Sequence, residues 1–361
     1  MKTFFLIFSL VICTEGIFGQ SGKISGYMFG DYFYNIARDL AIDSLSNTVL
    51  NGEKDFNGFQ FRRIYFTYDY EISKTFDTRF RLEADQSANT SNGKIGVFVK
   101  DAYLKWNNIF EGSDLILGIQ PGPAFEIAES IWGYRSLEKT ILDLRGIVSS
   151  RDFGISLKGK FDNSGNLNYW VMVGNNSGNS PEIDKYKRFY GHLYFKPLKN
   201  ISVTVYGDLK LRPSFTANSI TLNNNDITTA IFAGYSEKEK FSAGVESFLQ
   251  LRENGYFEPG ITNLIYQAKK TFGISVYGSY SFTPMTAAVL RFDHFDPNMD
   301  PDFENDSRNY FIFSFVYKPD PVVSIMPNVL IETYESAAGN SYDTSVTGRI
   351  TFYYSFLQNF K

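Results

Sequence analysis

The sequence predicts an all-β protein, a transmembrane antiparallel β-barrel of about 16 strands with a long, inward-folding third external loop. Apolar and polar residues alternate with a period of two through most of the chain. Many of the alternating stretches run about 10–12 residues, close to the roughly 9–11 that a membrane-spanning strand requires. The segments between them alternate between short and long, as in outer-membrane barrels.

The N-terminus has the layout of a secretory signal peptide. Lys2 precedes an apolar run over residues 4–12, and small residues follow near Gly19, where we place the cleavage. The apolar run is too short to cross a bilayer as a helix, which takes roughly 20 residues. Residues 1–19 are therefore expected to be removed, and residues 20–361 to form a single barrel domain.

The composition excludes several classes of protein. The net charge of −4 argues against nucleic acid binding. Cys13 is the single cysteine, so the exported domain has no disulfide framework and requires a large core or a closed architecture. Aromatic residues make up 17% of the chain, which favours strands and membrane interfaces.

The alternation assigns side chains to two faces. The apolar series is expected to meet lipid and the polar series to line an aqueous lumen, because a charge in the lipid midplane costs about 2–4 kcal/mol. The clearest strands are 78–85, 152–161, 188–196 and 349–356. The charged residues predicted to face the lumen are Arg63, Asp69, Arg79, Arg81, Glu83, Asp85, Asp101, Lys105, Lys158, Lys160, Arg188, Lys196, Asp208, Glu246, Arg291, Asp293 and Arg349.

These charges allow two interpretations. A basic stripe would make the lumen mildly anion-preferring. Alternatively, arginines and acids on neighbouring strands only form ion-pair ladders that stiffen the wall. The net charge does not decide, because the external loops carry many acids.

The connections support the strand count. Seven short turns, near 71–75, 107–113, 161–166, 197–200, 236–240, 281–285 and 318–321, alternate with eight longer polar segments, near 36–57, 86–96, 121–151, 175–187, 212–226, 252–269, 296–307 and 335–343. Sixteen strands return both termini to the periplasmic side and leave no open edge for lipid to meet.

The segment 121–151 is the least strand-like part of the exported chain. Its apolar residues Ile127, Ile131, Leu137, Ile141 and Leu144 recur at helical spacing and predict one or two short helices. As the third external loop, it is expected to fold inward and narrow the pore. Its charged residues would then line the constriction: Glu126, Glu129, Arg135, Glu138, Lys139, Asp143, Arg145 and Arg151. Alternatively, the loop packs over the mouth with these charges paired or solvated.

Several segments resemble a known family. Porins of the phosphate-selective O and P type, in a Bacteroidetes-like version, have segments similar to GYMFGDYFY (26–34), the stretch 58–85, KDAYLKW (100–106), LILGIQPGP (115–123), IWGYRSLEKTILDLRGIVSSRDFGISLKG (131–159) and, as a further local match, LRFDHFDPN (290–298). The resemblance is strongest over 22–161. It implies a sixteen-stranded, usually trimeric channel for passive diffusion of small polar solutes in the outer membrane of a Gram-negative-type bacterium. Phosphate selectivity in that family depends on lysine and arginine ladders, and no such ladder maps residue by residue onto this chain.

The C-terminal strand has the aromatic pattern that outer-membrane barrels present to the barrel-assembly machinery. Ile350, Phe352, Tyr354, Phe356 and Phe360 keep one phase. The terminal Lys361 departs from the usual final phenylalanine. Insertion into outer-membrane lipid is nevertheless the favoured interpretation of this strand.

No pattern of catalytic or cofactor-binding residues stands out. The two histidines, His192 and His294, lie on distant strands, so neither a metal centre nor a cofactor is expected. The strongest enzyme hypothesis is a lipid-facing dyad of His294 with Ser314, which no nucleophile motif supports. A third class is a non-conducting barrel that serves as an adhesin, receptor or scaffold through its loops.

An acidic stretch covers residues 291–306. Asp296, Asn298, Asp300 and Asp302 match the first ligand positions of a calcium-binding loop. Pro301 and Ser307 stand where that loop needs its glycine and its closing glutamate, so an EF-hand is rejected. A looser calcium site and a solvated Asp-Pro turn remain as alternatives. Asp293, just inside the barrel, is the member of the stretch expected to touch a permeating solute.

Overall fold

Sixteen antiparallel strands close into one barrel within the residues that the structure describes, which are 21–39, 48–257, 265–300, 306–336 and 341–360 of a computed structural model. The predicted signal peptide at 1–19 lies outside these residues. The strands are β1 (Gly22–Ala37), β2 (Asn57–Glu71), β3 (Phe76–Asn89), β4 (Ile95–Phe110), β5 (Ser113–Pro121), β6 (Arg151–Lys160), β7 (Leu167–Gly174), β8 (Arg188–Leu198), β9 (Ile201–Lys210), β12 (Asp226–Glu237), β13 (Phe241–Phe257), β14 (Tyr266–Thr283), β15 (Thr286–Asp296), β16 (Arg308–Asp320), β17 (Val323–Tyr334) and β18 (Ser345–Phe360).

Closure is made by β1, which pairs with both β2 and β18, so that Gly22 lies opposite Phe360. Two short strands, β10 (Phe215–Ala217) and β11 (Ile220–Leu222), form a hairpin inside one long loop, and β9 pairs directly with β12. The predicted barrel of sixteen strands, with its alternation of short turns and long loops, is confirmed.

The outer face is an apolar belt. On β6, Phe153 and Ile155 are 48% and 45% exposed, and Phe189 and Leu193 on β8 are 44% and 47% exposed. A closed barrel with such a belt satisfies its backbone hydrogen bonds internally and presents hydrocarbon to lipid. This confirms the prediction of a barrel of the bacterial outer-membrane type. None of the helices in the described part of the chain is long and apolar enough to cross a membrane.

The inner face departs from the simple division into a lipid-facing apolar series and a lumen-facing polar series. Strands β12 to β17 turn many apolar side chains inward, for example Phe232, Val289 and Ile312, which are at most 2% exposed. They pack against the segment between β5 and β6, which contains α1 (Glu126–Trp132) and α2 (Ile141–Leu144). The expectation of an aqueous lumen bounded by polar residues alone is therefore wrong for this half of the wall.

Candidate pore constriction

Of the one or two short helices predicted in the third external loop, two are present, and their apolar residues are buried. Trp132, Leu137, Ile141 and Leu142 are at most 1% exposed. The indole Nε1 of Trp132 donates to the carbonyl of Glu138 at 2.8 Å, and α1 is capped by Gly133, whose left-handed φ of 69° terminates the helix. The helices pack on side chains that β12–β17 point inward, so the loop lies inside the barrel.

Arginines from the wall hold the loop by its backbone. The Leu137 carbonyl accepts from Arg62 on β2 at 3.2 Å and from Arg349 on β18 at 2.8 Å. The Lys139 carbonyl accepts from Arg291 on β15. Because these guanidinium groups are engaged by the loop, they stabilise its position as well as contributing positive charge.

A buried ion pair holds the far end of the loop. Arg145 Nη1 lies 3.1 Å from Glu332 Oε1 on β17, and their side chains are 1% and 0% exposed. The same carboxylate accepts the backbone N–H groups of Val49 and Leu50 at 2.9 and 3.0 Å. One glutamate therefore fixes both the first and the third external loops to the barrel wall.

On the opposite side of the barrel, strands β2–β4 carry an alternating charge network. Arg63 lies 2.7 Å from Glu83 and 3.2 Å from Asp85, and Lys100 lies 2.9 Å from the second oxygen of Glu83. Arg81 lies 3.2 Å from Asp101, which also accepts from Arg151 at the start of β6. The arginines and lysine of this network are 10–18% exposed at their side chains, so their tips face the interior.

The loop presents its own charges toward the interior. Arg135 on the loop lies 3.2 Å from Glu129 and 3.0 Å from Asp143, and Lys139 lies 3.8 Å from Asp143. Glu126 reaches Lys158 on β6 at 2.5 Å, and both side chains are more than a third exposed. The loop and the wall of β2–β6 therefore carry partly exposed charges of both signs.

The structure separates the predicted constriction residues into two groups. Glu126, Glu129, Arg135, Lys139, Asp143 and Arg151 keep exposed side-chain area, whereas Glu138 and Arg145 are buried between loop and wall. Many of the predicted lumen charges are buried as well: Arg63, Glu83, Asp101, Arg188, Asp208, Glu246, Arg291, Asp293 and Arg349.

The expectation that Asp293 touches a permeating solute is wrong. Its side chain is 0% exposed and accepts from Arg291 Nε at 2.8 Å and Nη2 at 2.6 Å. The reason is the spacing of Arg291 and Asp293, since residues two apart on one strand point to the same face of the sheet. The loop then covers the pair, because Arg291 also donates to the Lys139 carbonyl.

Most predicted lumen bases have an acidic partner. The pairs are Arg63 with Glu83 and Asp85, Arg79 with Asp69, Arg81 with Asp101, Lys105 with Asp77, Lys158 with Glu126, Arg188 with Asp208, and Arg291 with Asp293. Ion-pair ladders thus account for much of the predicted basic stripe. Among the described residues, three predicted lumen bases have no acidic partner within 4.0 Å: Lys160, Lys196 and Arg349, whose guanidinium donates to Asn328 and to the Leu137 carbonyl instead.

The period-two pattern did not predict two inward-facing bases, Arg62 and Lys100, because each lies at a β-bulge. Between Phe29 and Gly30, the register of β1 with β2 skips Arg62, so Arg62 and Arg63 both point inward. A second shift between β3 and β4 does the same for Lys100 and Asp101. A signal was present in the sequence: two adjacent charges in the middle of a spanning strand require a bulge, because otherwise one would face lipid.

The proposed enzyme dyad is excluded by register. On the paired strands β15 and β16, His294 lies opposite Asn309, and Ser314 lies opposite Val289. Ser314 is buried on the inner face and donates to the Pro327 carbonyl, whereas His294 bonds to Asn309 on the outer face. The two side chains are thus on different faces and five residues apart along the strand.

The acidic stretch ends β15 and continues into an external loop. Asp296 accepts the backbone N–H of Asn298 at 3.0 Å, and Asp300 accepts from the Tyr256 hydroxyl. Asp302 lies outside the described residues. Among the residues that the structure describes, no three acidic, histidine or cysteine side chains converge on a metal-sized site.

The fold is shared with solved outer-membrane channels. The channel DcaP of Acinetobacter baumannii matches with a TM-score of 0.63 at 12% identity, covering 95% of this chain and 99% of that one. An anion-selective porin from Comamonas acidovorans gives 0.60 at 12% identity, covering 93% and 100%. OmpT of Vibrio cholerae, folded in vitro and in a trimer form, gives 0.57 at 9% identity, covering 93% and 99%.

At these identities the likeness establishes the fold of an outer-membrane porin barrel. Comparison of the sequence with protein-family models gave no match, and neither did comparison with curated proteins. The finer resemblance to phosphate-selective porins is therefore not confirmed.

Proposed function

We propose that the chain is an outer-membrane porin, a passive diffusion channel for small polar solutes and ions. The observation that carries this proposal is the position of the third loop. It packs on the apolar half of the inner wall, and its exposed charges lie toward the charged half, β2–β6. A sixteen-stranded barrel is wide enough for an aqueous channel beside such a loop. Transport requires no catalysis and no cofactor.

We further propose a mild anion preference. Lys160 and Lys196 lie on the inner face of β6 and β8, and neither is neutralised by an acid among the described residues. The acids Glu83 and Asp101, by contrast, are buried and each engages two cations. The charge left exposed along this wall is therefore more positive than the count of residues suggests.

Bilayer electrophysiology tests both statements. We expect stepwise conductance from the purified protein and an anion-directed reversal potential in a KCl gradient. Lys158→Glu/Lys160→Glu should move that potential toward cations. Lys238→Glu is the matched control, since Lys238 lies on a periplasmic turn with its side chain 92% exposed. A silent bilayer would contradict the channel, and an unchanged potential in the double variant would contradict the anion preference.

The proposal includes a homotrimer inserted by the barrel-assembly machinery. The trimer form of the structurally similar Vibrio cholerae protein supports the trimer, and the apolar outer face of β18, with Ile350, Phe352 and Tyr354, supports insertion by that machinery. Crosslinking of the protein in native membranes should yield a three-subunit band, and a band of one subunit only would contradict the trimer.

A non-conducting barrel that acts as an adhesin, receptor or scaffold is the second candidate. It is favoured by the extent to which the loop fills the interior, where three apolar clusters join loop and wall. The same conductance measurement separates the candidates, because a filled barrel passes no current.

A further inference from the structure

A cavity of about 400 Å³ lies between α1 and the inner faces of β6–β8, in the periplasmic half of the barrel. It is lined by Glu126, Lys158, Lys160, Trp170, Tyr194 and Lys196, among others. The register brings the strands together here, since Lys160 pairs with Asn168 and Asn168 pairs with Tyr194. At ~30 Å³ per water, the cavity holds about a dozen waters, or a solute of about a dozen heavy atoms.

Two cations in this cavity have no acidic partner among the described residues. Lys160 is exposed and Lys196 is partly exposed, and both line the cavity. Charged donors of this kind are satisfied by water or by an anionic ligand, and a hydrogen bond to a charged group is worth about 1.5–3 kcal/mol. A carboxylate has two oxygens and can accept from both lysines.

The charge around the cavity sets the class of anion. The three lysines Lys158, Lys160 and Lys196 are offset by the two carboxylates Glu126 and Asp114, which leaves a net charge of +1. A net charge of +1 is matched by one monovalent carboxylate, whereas a multiply charged anion would be repelled by the two carboxylates. The exposed oxygens of Glu126 can accept hydrogen bonds from the hydroxyl groups of a solute, and the Asn168 amide, which donates one N–H to the Gly165 carbonyl at 2.8 Å, has a second N–H for a solute hydroxyl.

We propose that this cavity is a binding subsite for a small, hydroxylated monocarboxylate of the sugar-acid class. The inference rests on the proposed channel, in which the subsite binds such solutes on the periplasmic side of the constriction. Lys160 and Lys196 bind the carboxylate, and the acids bind the hydroxyl groups. Lys158 is held by Glu126 and by the Trp170 ring, 4.3 Å from its centroid, and keeps that indole in place.

The test uses three related probes on the full barrel in detergent. Gluconate carries the hydroxyl groups and one carboxylate, glucose lacks the charge, and glucose 6-phosphate carries a phosphate instead. Ligand-observed saturation-transfer NMR measures the affinities without requiring conduction, and gluconate block of single-channel current measures occupancy in the open channel. A failure of the channel proposal appears as a silent bilayer, whereas a failure of the subsite appears in the NMR affinities.

We expect gluconate to bind more tightly than either other probe. Lys160→Gln/Lys196→Gln should weaken it about tenfold, equal to about 1.4 kcal/mol. Lys318→Gln is the control, because this lysine lines a different cavity, on the other side of the loop. Equal binding of gluconate and glucose, tighter binding of glucose 6-phosphate, or full affinity in the double lysine variant would overturn the proposal.

Discussion

Replacing Glu332 should release the external loops from the barrel wall. Its carboxylate accepts from Arg145 at 3.1 Å, from the N–H groups of Val49 and Leu50 at 2.9 and 3.0 Å, and from the Tyr334 hydroxyl at 3.3 Å. Glu332→Ala removes the buried carboxylate partner of a buried guanidinium, which typically costs about 3–5 kcal/mol. It also leaves two backbone N–H groups without their acceptor.

The converse variant should cost less. Arg145→Met removes one charged hydrogen bond, worth about 1.5–3 kcal/mol, and leaves Glu332 with its backbone donors. Methionine also keeps an apolar contact with Phe295, whose ring lies 4.8 Å from the guanidinium carbon. The double variant should show that the two effects are coupled by about 0.5–3 kcal/mol rather than additive.

The free energy of unfolding is measured by urea titration of the barrel in lipid vesicles, followed by tryptophan fluorescence. Single-channel recording provides the functional readout, since a loosened third loop should make the open current noisier. The reasoning would be refuted if Glu332→Ala cost less than about 1 kcal/mol, the level of an exposed ion pair. It would also be refuted if Arg145→Met were the more damaging of the two.

Two further variants probe the backbone and the pore mouth. Gly118→Ala should lower the free energy of unfolding by at least about 1–3 kcal/mol, because the φ of Gly118 is +132° and a Cβ there would overlap the Ala102 carbonyl. Gly207→Ala is the control, since a Cβ at Gly207 makes ordinary contact only, and it should be nearly neutral in the same urea titration. Burial and then the charge of Asp296 raise the pKa of Asp306, in an external loop, to about 7. As pH rises through 7 the mouth therefore gains negative charge, so low-salt reversal potentials should shift toward cations between pH 5.5 and 8.5. Asp306→Asn should remove that part of the shift, and an identical shift in the variant would contradict it. Because the folded pKa lies above the unfolded one, this carboxyl also lowers stability as pH rises from about 4 to 7.

The strand pattern could be predicted from the sequence because lipid imposes it. Every outward residue of a spanning strand meets hydrocarbon, so Phe153 and Ile155 on β6 or Phe189 on β8 report the face directly. The inner face has no comparable constraint. Whether Asp293 meets water, an arginine or a loop depends on contacts between distant segments, and period-two alternation contains no information about them.

The inner face nevertheless contains one signal that locates the loop. A loop with buried residues such as Trp132 and Leu137 needs an apolar surface to pack against, and inside a barrel only inward side chains can supply it. Strands with apolar residues on both faces are therefore the docking side, and in this chain these are β12–β17, where Phe232, Val289 and Met326 point inward. Strands β2–β6, whose inner face is mostly charged, lie on the other side. In the proposed channel the passage then runs along β2–β6, where partly exposed cations such as Arg81 and Lys158 lie, so the packing of the loop determines which wall a permeating solute meets.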